Sequence, residues 1–254
     1  MEEESKIFLI RHGFCLANNV KWNNQIGLEE KIGELSYDEN VPLDDYGIEQ
    51  AKEVGNFLKK YLEGSKVLFF VSPYRRTRQT LEYILGEFSN TDSFDIRVNK
   101  SIREMNAGIH YAKTNEEIMN TFPKEYNEYL INVDNLSSHK DKGFIPYVRG
   151  EGQQDVRRRV YYFSKELKKI ASTKIDNHLK YDYICVISHN FVNRWICYWL
   201  NNKVYNSIPM KNGEIRIGNG KEAGKTVFIP IAFVPKGYKV NLDKYIVNYK
   251  IKKR

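Results

Sequence analysis

Three short apolar runs, each followed at once by polar residues, constrain the fold of this chain more than any other feature. They are Lys6–Ile10, Lys66–Val71 and Tyr181–Ile187. Each run is continuous rather than alternating, which is typical of strands that are covered on both faces of a parallel sheet. Segments with helical periodicity lie between the runs. The pattern therefore predicts an α/β fold, a three-layer α/β/α sandwich with a mostly parallel central sheet.

The segments around these runs predict four helices. Asp44 is a candidate N-cap for a helix from Asp45 to about Glu63. A second helix is predicted from Arg76 to about Phe88, and a third begins near Asp155, where apolar residues recur at helical spacing. The fourth follows the third apolar run and contains Arg194.

The length and composition suit one large core. The chain has 254 residues and a hydrophobic content of 41%, so we expect a single domain over residues 1–254. Two polar stretches, around residues 20–41 and 111–152, are predicted as loop insertions. The stretch 211–254 becomes strand-like again, with the segments GEIRI, KTVFIPIAFV and KYIVNYKI.

The charge, the cysteine content and the apolar segments favour anionic partners and argue against disulfide-rich, zinc-ribbon and membrane proteins. The formal net charge of +8 favours anionic partners such as phosphorylated metabolites, nucleic acid or an acidic membrane. Cys15, Cys185 and Cys197 form no CxxC pair, which argues against a disulfide framework and a zinc ribbon. The first residues are acidic, unlike a signal peptide, and polar residues interrupt the apolar region Ile184–Leu200. We therefore expect a reduced, cytoplasmic protein without a membrane span.

Reactive side chains follow each of the three apolar runs. The three segments are Arg11-His12-Gly13, Ser72-Pro73-Tyr74-Arg75-Arg76-Thr77 and Ser188-His189-Asn190. In open α/β sheets ligands bind outside the carboxyl ends of the strands, so two histidines and at least two arginines are expected to meet in one crevice. Arginine grips phosphate with paired hydrogen bonds, and histidine can attack phosphorus. The first tripeptide alone is a weak signal, because the same three residues can surround an ordinary core or surface histidine.

The context of that tripeptide resembles the histidine phosphatase superfamily, also called the phosphoglycerate mutase-like superfamily, in its RHG-motif branch with a glutamate acid. The matching stretches are LIRHG (9–13) with Asn18 after it, PLDDYGIEQA (42–51), SPYRRTRQT (72–80), REMNAG (103–108), GEGQQDVRRR (150–159) and VISHN (186–190). The resemblance covers roughly residues 6 to 200. It implies the phosphoglycerate mutase-like fold.

The resemblance also implies a role for each matching residue. His12 would be the nucleophile that becomes a phosphohistidine, and Glu104 would protonate the leaving oxygen. The expected phosphate and substrate ligands are Arg11, Asn18, Arg76, His189 and Asn190. Arg76 is chosen over its neighbours because the arginine of the family lies four residues after the serine of its motif. Nearby positive charge should lower the pKa of His12, and bound phosphate should raise that of Glu104. No metal or cofactor is implied.

Four positions depart from the pattern of the family. Phe14 stands where Glu or Gln is common, Cys15 where Ser or Thr is common, and Ser188 and Asn190 where Gly is common. A related branch places its acid, an aspartate, directly after the second histidine. Asn190 cannot donate a proton in that way, which favours Glu104. Phe14 and Asn190 are expected to reshape the pocket and so to affect the substrate more than the reaction.

Three functions remain open at this stage. The favoured one is a metal-independent phosphomonoesterase, a hydrolase for small phosphorylated metabolites, and the alternative is a phosphoglycerate mutase-type phosphotransferase. A catalytically silent basic binding module is the third, but all four core residues of the family motif are present. The run Arg157–Arg159 lies on the flank of an amphipathic helix, so a solvated face is expected there rather than a nucleic-acid site. The oligomeric state is left open, with a homodimer as one option.

Overall fold

A mixed sheet lies at the centre of the part of the chain that this computed structural model describes, residues 4–18, 38–111, 113–134, 148–201, 209–219 and 223–230. The strands in these ranges are β1 (Lys6–Arg11), β2 (Val67–Val71), β3 (Phe94–Val98), β4 (Lys174–Ile175), β5 (His178–Leu179), β6 (Tyr183–Ser188), β7 (Ile215–Gly218) and β8 (Ala223–Phe228). Strands β4 and β5 form a separate hairpin, and the others form the sheet in the order β3-β2-β6-β1-β7-β8. The first four of these pair in parallel, whereas β7 and β8 are antiparallel. The predicted mostly parallel sheet is confirmed.

Helices cover both faces of the sheet. Those in the described ranges are α1 (Asp45–Leu62), α2 (Arg75–Leu85), α3 (Asn115–Thr121), α4 (Pro123–Asp134), α5 (Gln153–Ala171) and α6 (Asn190–Leu200). Ile7 and Leu9 of β1 pack in one cluster with α5 and α6, while Phe8 and Ile10 pack in another with α1 and α2. These successive residues of β1 point alternately to opposite faces of the sheet, and both faces are covered by helices. All four are therefore apolar, which explains the continuous apolar run. The three-layer α/β/α sandwich is therefore confirmed.

The parallel pairing brings the carboxyl ends of three strands to the same level. Arg11, the last residue of β1, lies opposite Ser188 of β6. The ladder continues past the strand ends, since the His12 N–H donates to the Ser188 carbonyl at 3.0 Å and the Ser72 N–H to the Ile187 carbonyl at 3.1 Å. The loops after β1, β2 and β6 consequently start at one edge of the sheet.

Helix α1 begins where the sequence predicts, because Asp44 caps it. The Asp44 carboxylate accepts a hydrogen bond from the Gly47 N–H at 2.8 Å. A Cβ at Gly47 would lie 1.9 Å from the Phe14 carbonyl oxygen, and a Cβ at Gly13 would lie 2.3 Å from the Gly47 carbonyl oxygen. Only glycine permits this approach. The first turn of α1 therefore lies directly against the loop that carries His12.

The other predicted helices are present with small shifts of their ends. Helix α2 begins at Arg75 and ends at Leu85, three residues before the predicted end at Phe88. Helix α5 begins at Gln153, close to the predicted start, and α6 contains Arg194. End shifts of this size are expected, because the residues just outside a helix satisfy its free backbone groups in several ways.

The prediction of a loop at residues 111–152 is wrong over residues 115–134, which form α3 and α4. Thr114 caps α3 through a capping box with Glu117, in which each side chain binds the backbone N–H of the other residue. Pro123 opens α4 at a position where a helix needs no backbone N–H. Both signals are visible in the sequence, although the apolar periodicity is too short to mark either helix.

Strand β3 has no counterpart in the sequence prediction. It lies at one edge of the sheet, where Ile96 and Val98 are 49% and 58% exposed. The polar residues Asp95 and Arg97 alternate with them. An edge strand that is not covered on both faces does not show the continuous apolar run that marked its neighbours.

Several predictions fall on residues that the structure does not describe. Strands β7 and β8 confirm strand structure within 215–228, whereas the predicted strand KYIVNYKI lies outside the described residues. Residues 20–37 and 135–147 of the predicted loops also lie outside them. The single-domain organisation of residues 1–254 stays a prediction. Among the helices described, none has the length and apolar character needed to cross a membrane.

Candidate active site

The loops after β1, β2 and β6 bring the two predicted histidines and Arg76 together. The ring centroids of His12 and His189 lie 5.2 Å apart in an edge-to-face arrangement. The Tyr74 ring lies 5.1 Å from the His189 ring and 4.9 Å from the guanidinium carbon of Arg76. All four side chains are buried. Residues far apart in the sequence thus form one pocket at the carboxyl edge of the sheet.

The tautomer of His12 follows from its hydrogen bond. Its Nδ1 lies 2.7 Å from the carbonyl oxygen of Gly13. A carbonyl can only accept, so Nδ1 carries the hydrogen and Nε2 keeps its lone pair. Burial, and then the charges of Arg76 and Arg11, hold the pKa of His12 well below 6.5. The ring is therefore neutral at physiological pH, with Nε2 available as a nucleophile.

His189 is fully buried and bound on one side only. Its Nε2 lies 2.8 Å from the Ser72 hydroxyl oxygen. Its Nδ1 has no hydrogen-bond partner, and the Oε2 atom of Glu104 is 3.9 Å away. Burial, then the charge of Arg76 and further that of Arg11, hold the pKa of His189 well below 6.5. When the Ser72 hydroxyl donates to Nε2, the opposite nitrogen carries a hydrogen that it can donate to a ligand.

The two predicted phosphate arginines have different partners. Arg76, in the first turn of α2, donates to the backbone carbonyl of Asp38 at 2.6 Å and to its carboxylate at 2.9 and 3.3 Å. Arg11 donates through Nη1 to the carbonyl of Met210. Among the three arginines after Ser72, Arg76 alone is buried, because Arg75 is half-buried and Arg78 exposed. This agrees with the choice of Arg76 from the motif.

Three buried nitrogens of this pocket lack hydrogen-bond partners. They are Nε of Arg11, Nε of Arg76 and Nδ1 of His189. Buried donors are nearly always paired in folded proteins, and an exception calls for a ligand or a functional reason. The charges of both arginines act on His12 and on His189, so the side chains that carry these donors lie close together. A tetrahedral oxyanion would supply an acceptor for each donor.

Glu104, the predicted acid, lies next to the second histidine, with its Oε2 atom 3.9 Å from Nδ1 of His189. It is half-buried, and its Oε1 accepts a hydrogen bond from the Met105 N–H at 3.0 Å. The pKa of Glu104 is raised, chiefly by burial and further by the charge of Asp38, although the Met105 N–H and the charges of the arginines oppose the change. A raised pKa favours the protonated acid that a leaving oxygen needs.

Arg159 braces the loop that carries Glu104. It donates to the Glu104 carbonyl at 3.1 Å and to the Ser101 carbonyl at 2.8 Å. It also binds both carboxylate oxygens of Glu151, each at 3.1 Å, and Glu151 pairs with Arg103 at 2.6 Å. The expectation of a solvated face for the three-arginine run is therefore wrong at this position.

The same expectation is also wrong at the first arginine of the run. The Arg157 guanidinium lies 5.5 to 5.6 Å from the ring centroids of Trp195, Tyr198 and Trp199 on α6. Arg158 alone is exposed. Helical periodicity placed these residues on the flank of α5, but only the packing of α5 against α6 and the Glu104 loop shows what covers that flank.

Asn18 and Asn190 brace the pocket through hydrogen bonds to neighbouring residues. The Asn18 side-chain oxygen accepts from the Cys15 N–H at 3.3 Å and from the Asn212 side chain at 3.0 Å. The Asn190 side-chain oxygen accepts from the Met210 N–H at 2.7 Å. Met210 in turn accepts from Arg11, so Asn190 acts on the arginine through the backbone. Their roles as substrate ligands stay predictions.

The other departures from the motif are packed into the fold. The Phe14 ring lies edge-on to that of Tyr46, 5.9 Å away. Burial raises the pKa of the Cys15 thiol to about 11, which makes it a packed thiol rather than a reactive thiolate. The Ser188 hydroxyl donates to the Ile102 carbonyl at 2.7 Å and so ties the segment before Glu104 to β6.

A cleft of about 400 Å³ adjoins the histidine pocket. Its lining residues are Asp38, Glu39, Tyr74, Asn106, Ala107, Gly108, Tyr111 and Lys113. It shares Tyr74 and Asp38 with the pocket, because these residues contact His189 and Arg76. Burial, together with the charge of Asp38, raises the pKa of Tyr74 to about 12, so its hydroxyl keeps its proton. The cleft can hold the group to which a phosphate is attached.

Some residues of this site were not predicted from the sequence. Asp38 lies in a polar stretch that carries no motif, and Met210 and Asn212 lie beyond the range of the resemblance. Only Tyr74 had a signal, since it belongs to the segment after β2. In the ranges that the structure describes, no group of three or more His, Cys, Asp or Glu residues is placed to hold a metal ion.

Comparisons of sequence identify relatives of the chain. The family model described as histidine phosphatase superfamily (branch 1) matches residues 7–227. Phosphoglycerate mutase-like protein AT74 of Arabidopsis thaliana is 25% identical over 197 residues, which cover 74% of this chain and 55% of that protein. A 6-phosphofructo-2-kinase/fructose-2,6-bisphosphatase of the same plant is 27% identical over 204 residues, 80% of this chain and 22% of that protein. The chain thus spans about half the length of the first of these relatives and less of the second.

Solved structures share the fold at low identity. Alpha-ribazole phosphatase of Shigella flexneri has a TM-score of 0.61 at 18% identity and covers 91% of this chain and 100% of its own. A mycobacterial glucosyl-3-phosphoglycerate phosphatase has a TM-score of 0.56 at 16% identity and covers 85% of this chain and 90% of its own. Likeness at these identities shows the fold.

Proposed function

Because the chain belongs to the histidine phosphatase superfamily (branch 1), we propose that it is a phosphomonoesterase that works through a phosphohistidine on a small phosphorylated metabolite. One observation carries the proposal. The free Nε2 lone pair of His12 lies in a pocket where Arg11, Arg76 and His189 each keep a buried N–H donor without a partner. A nucleophile beside three unpaired donors suits a phosphoryl group better than any other common group.

In the first step, Nε2 of His12 attacks phosphorus and the bond to the ester oxygen breaks. Glu104 gives its proton to that oxygen, so the alcohol leaves as a neutral molecule. The equatorial oxygens of the transferring group accept hydrogen bonds from Arg11, Arg76 and His189. The proposed step uses the guanidinium groups of Arg11 and Arg76 to stabilise the charge of the phosphoryl group and uses no metal ion.

In the second step, water attacks the phosphohistidine. The Glu104 carboxylate, now without its proton, accepts a proton from the water as the new P–O bond forms and the N–P bond breaks. The products are inorganic phosphate, neutral His12 and protonated Glu104. The raised pKa of Glu104 supports this exchange, because a carboxyl group of raised pKa holds and releases a proton nearer to neutral pH.

The mutase alternative has weaker support in the adjoining cleft. Asp38 and Glu39 line that cleft, and a phosphoglycerate that extends into it brings its own carboxylate near them. Like charges at short range disfavour such a ligand, although Lys113 lies in the same cleft and would partly offset them. The structural relatives named above are called phosphatases, which by analogy also favours hydrolysis. The silent-module alternative is weakened because all four residues of the phosphate pocket are present.

The proposal is tested by release of inorganic phosphate from a panel of phosphomonoesters in the presence of EDTA. The panel contains sugar phosphates, phosphoglycerates, nucleotides and phosphopeptides. We expect release by the wild type and none above background by His12→Ala. The best substrate then identifies the class of metabolite.

The matched control is His178→Ala, which removes an exposed histidine at β5 and should keep wild-type release. Release that persists in His12→Ala would contradict the phosphohistidine route. Interconversion of phosphoglycerates without net release would establish the mutase instead.

A further inference from the structure

The guanidinium of Arg76 is already bound by an anion of the protein itself. The Nη1 atom lies 2.6 Å from the Asp38 carbonyl and 2.9 Å from its Oδ1, and Nη2 lies 3.3 Å from Oδ2. The Arg76 side chain is 4% exposed and that of Asp38 is 21% exposed. A carboxylate therefore occupies both terminal nitrogens of an arginine that the proposed function assigns to phosphate.

The contact between Asp38 and Arg76 changes the net charge that a bound phosphate meets in the pocket. Arg11 and Arg76 carry the two positive charges that face the nucleophile, since His12 and His189 are neutral. A phosphomonoester carries a charge between about −1.5 and −2 near neutral pH. Asp38 cancels one of the two positive charges. With its carboxylate in place, a bound phosphate is incompletely neutralised.

The geometry places the Asp38 carboxylate beside the edge of Arg76 that stays open. Arginine grips phosphate best with two parallel N–H donors. Asp38 takes one such pair, on Nη1 and Nη2, so a phosphate is left with the buried Nε, which has no partner, and the second hydrogen of Nη2. A phosphate on this remaining edge lies next to the Asp38 carboxylate and is repelled by it, or it displaces the carboxylate. Asp38 also lines the adjoining cleft, which offers its side chain space to move.

We propose that Asp38 is an internal competitor of phosphate. In the free protein it holds Arg76 in place, and in the bound protein it opposes the phosphoryl group, which weakens retention of the product. This inference rests on the proposed function, because it assumes that Arg76 binds phosphate. The opposite role is a positioning residue, in which the Asp38 contact orients Arg76 and strengthens phosphate binding.

The substitution Asp38→Asn separates the two roles. Asparagine has the same shape and keeps a side-chain oxygen that can accept from Arg76, but it carries no charge. We expect the dissociation constant of inorganic phosphate, measured by isothermal titration calorimetry, to fall by roughly tenfold, the factor that corresponds to loss of one unfavourable interaction of about 1.4 kcal/mol. The inhibition constant of phosphate and KM should fall by a similar factor, without a rise in kcat.

Glu125→Gln is the matched control. Glu125 pairs with Arg149 at 2.8 Å on α4, so this change also removes one carboxylate from an arginine pair. Its phosphate affinity should equal that of the wild type. Asp38→Ala is the second variant, because it removes the side-chain acceptor as well as the charge. Competition predicts tighter phosphate binding in both Asp38 variants, whereas positioning predicts weaker binding in Asp38→Ala.

The outcomes distinguish this inference from the proposed function. If the wild type binds phosphate and Asp38→Asn binds it equally or more weakly, the inference is overturned while the phosphatase proposal stands. If neither the wild type nor any variant binds phosphate and no ester is hydrolysed, the proposed function fails and the inference fails with it. Matching circular dichroism spectra of the variants ensure that folded proteins are compared.

Discussion

At the scale of single residues, the surroundings of His12 and Glu104 shift the pKa values of these two groups in opposite directions. His12 is kept neutral by burial and by two arginines, and the Gly13 carbonyl selects its tautomer. Glu104 is pushed toward its protonated form, chiefly by burial. A pair of groups whose pKa values are shifted in this way can act as base-like nucleophile and acid in one step.

The proposed role of Glu104 as the acid predicts that activity depends on the leaving group. Glu104→Gln should lower kcat/KM for an alkyl phosphate by roughly 10² to 10⁴. The loss should be much smaller for p-nitrophenyl phosphate, because its phenolate leaves without a proton. Wild-type kcat/KM for the alkyl ester should also fall as pH rises through the pKa of Glu104, and this fall should be absent in the variant. Equal losses for both esters would refute the acid role.

The buried histidines predict a loss of stability in acid. Burial and Arg76 hold the pKa of His189 well below 6.5 in the folded protein, whereas the unfolded chain has a pKa of about 6.5. The unfolded state therefore binds the proton first, and the free energy of unfolding falls as pH drops below that value. His189→Gln should reduce this slope by up to about 1.4 kcal/mol per pH unit between about pH 6 and 5.

Urea unfolding at several pH values measures the slope. His178→Gln is the control, because His178 is exposed and its removal should leave the slope unchanged. A wild-type slope in His189→Gln would show that the buried ring takes up its proton in the folded state.

At the scale of elements, α5 braces the loop of Glu104 rather than the proposed phosphate ligands. Arg159 projects from this helix to the carbonyls of Ser101 and Glu104 and to the Glu151 carboxylate. The position of the loop that carries Glu104 thus depends on a helix about fifty residues later in the sequence. Sequence periodicity placed Arg159 on the flank of that helix, but only the docking of the helix shows what the flank touches.

This arrangement predicts that removal of Arg159 lowers turnover but leaves phosphate binding nearly unchanged. Arg159→Met should lower kcat by about tenfold or more, since small displacements of a catalytic group are costly. The dissociation constant of inorganic phosphate should change by less than about twofold, because the arginine does not bind phosphate in the proposed function. Arg158→Met, one residue earlier and exposed, should leave both quantities unchanged. An equal loss in kcat and phosphate affinity would place Arg159 in the phosphate pocket.

At the scale of the whole molecule, the central strands support both the core and the site. Strand β1 pairs with β6 and β7, and its alternate side chains enter the two apolar clusters on either face of the sheet. Strand β3 at the edge contributes exposed residues and lies away from the histidines. Stability and the alignment of the reactive loops therefore depend on the same few strands.

Two substitutions test whether the central strand β1 contributes more to stability than the edge strand β3. Leu9→Ala, in β1 and fully buried, should lower the free energy of unfolding by roughly 2–5 kcal/mol. Ile96→Ala, in β3 and 49% exposed, should lower it by less than about 1 kcal/mol. Both values come from chemical denaturation. A loss at Ile96 as large as that at Leu9 would mean that this edge of the sheet is covered in solution.

The fold and the members of the pocket could be predicted from the sequence because their signals are local. Continuous apolar runs mark strands covered on two faces, and the residues after parallel strands must start at one edge of the sheet. Arg11, His12, Arg76 and His189 follow from that rule together with the motif. Helices α3 and α4 and strand β3 did not, because their apolar patterns are short or lie at an exposed edge.

The state of each side chain in the pocket was decided only by the tertiary structure. The Gly13 carbonyl sets the tautomer of His12, Arg159 holds the Glu104 loop, and Asp38 takes the guanidinium of Arg76. The last two are contacts between segments 38 to 55 residues apart. Such partners depend on how loops and helices dock, which no periodicity within a segment records. The chain alone therefore determined which groups meet, and the folded molecule decided the tautomer of His12, the hydrogen-bond partners of the pocket and the carboxylate that pairs with Arg76.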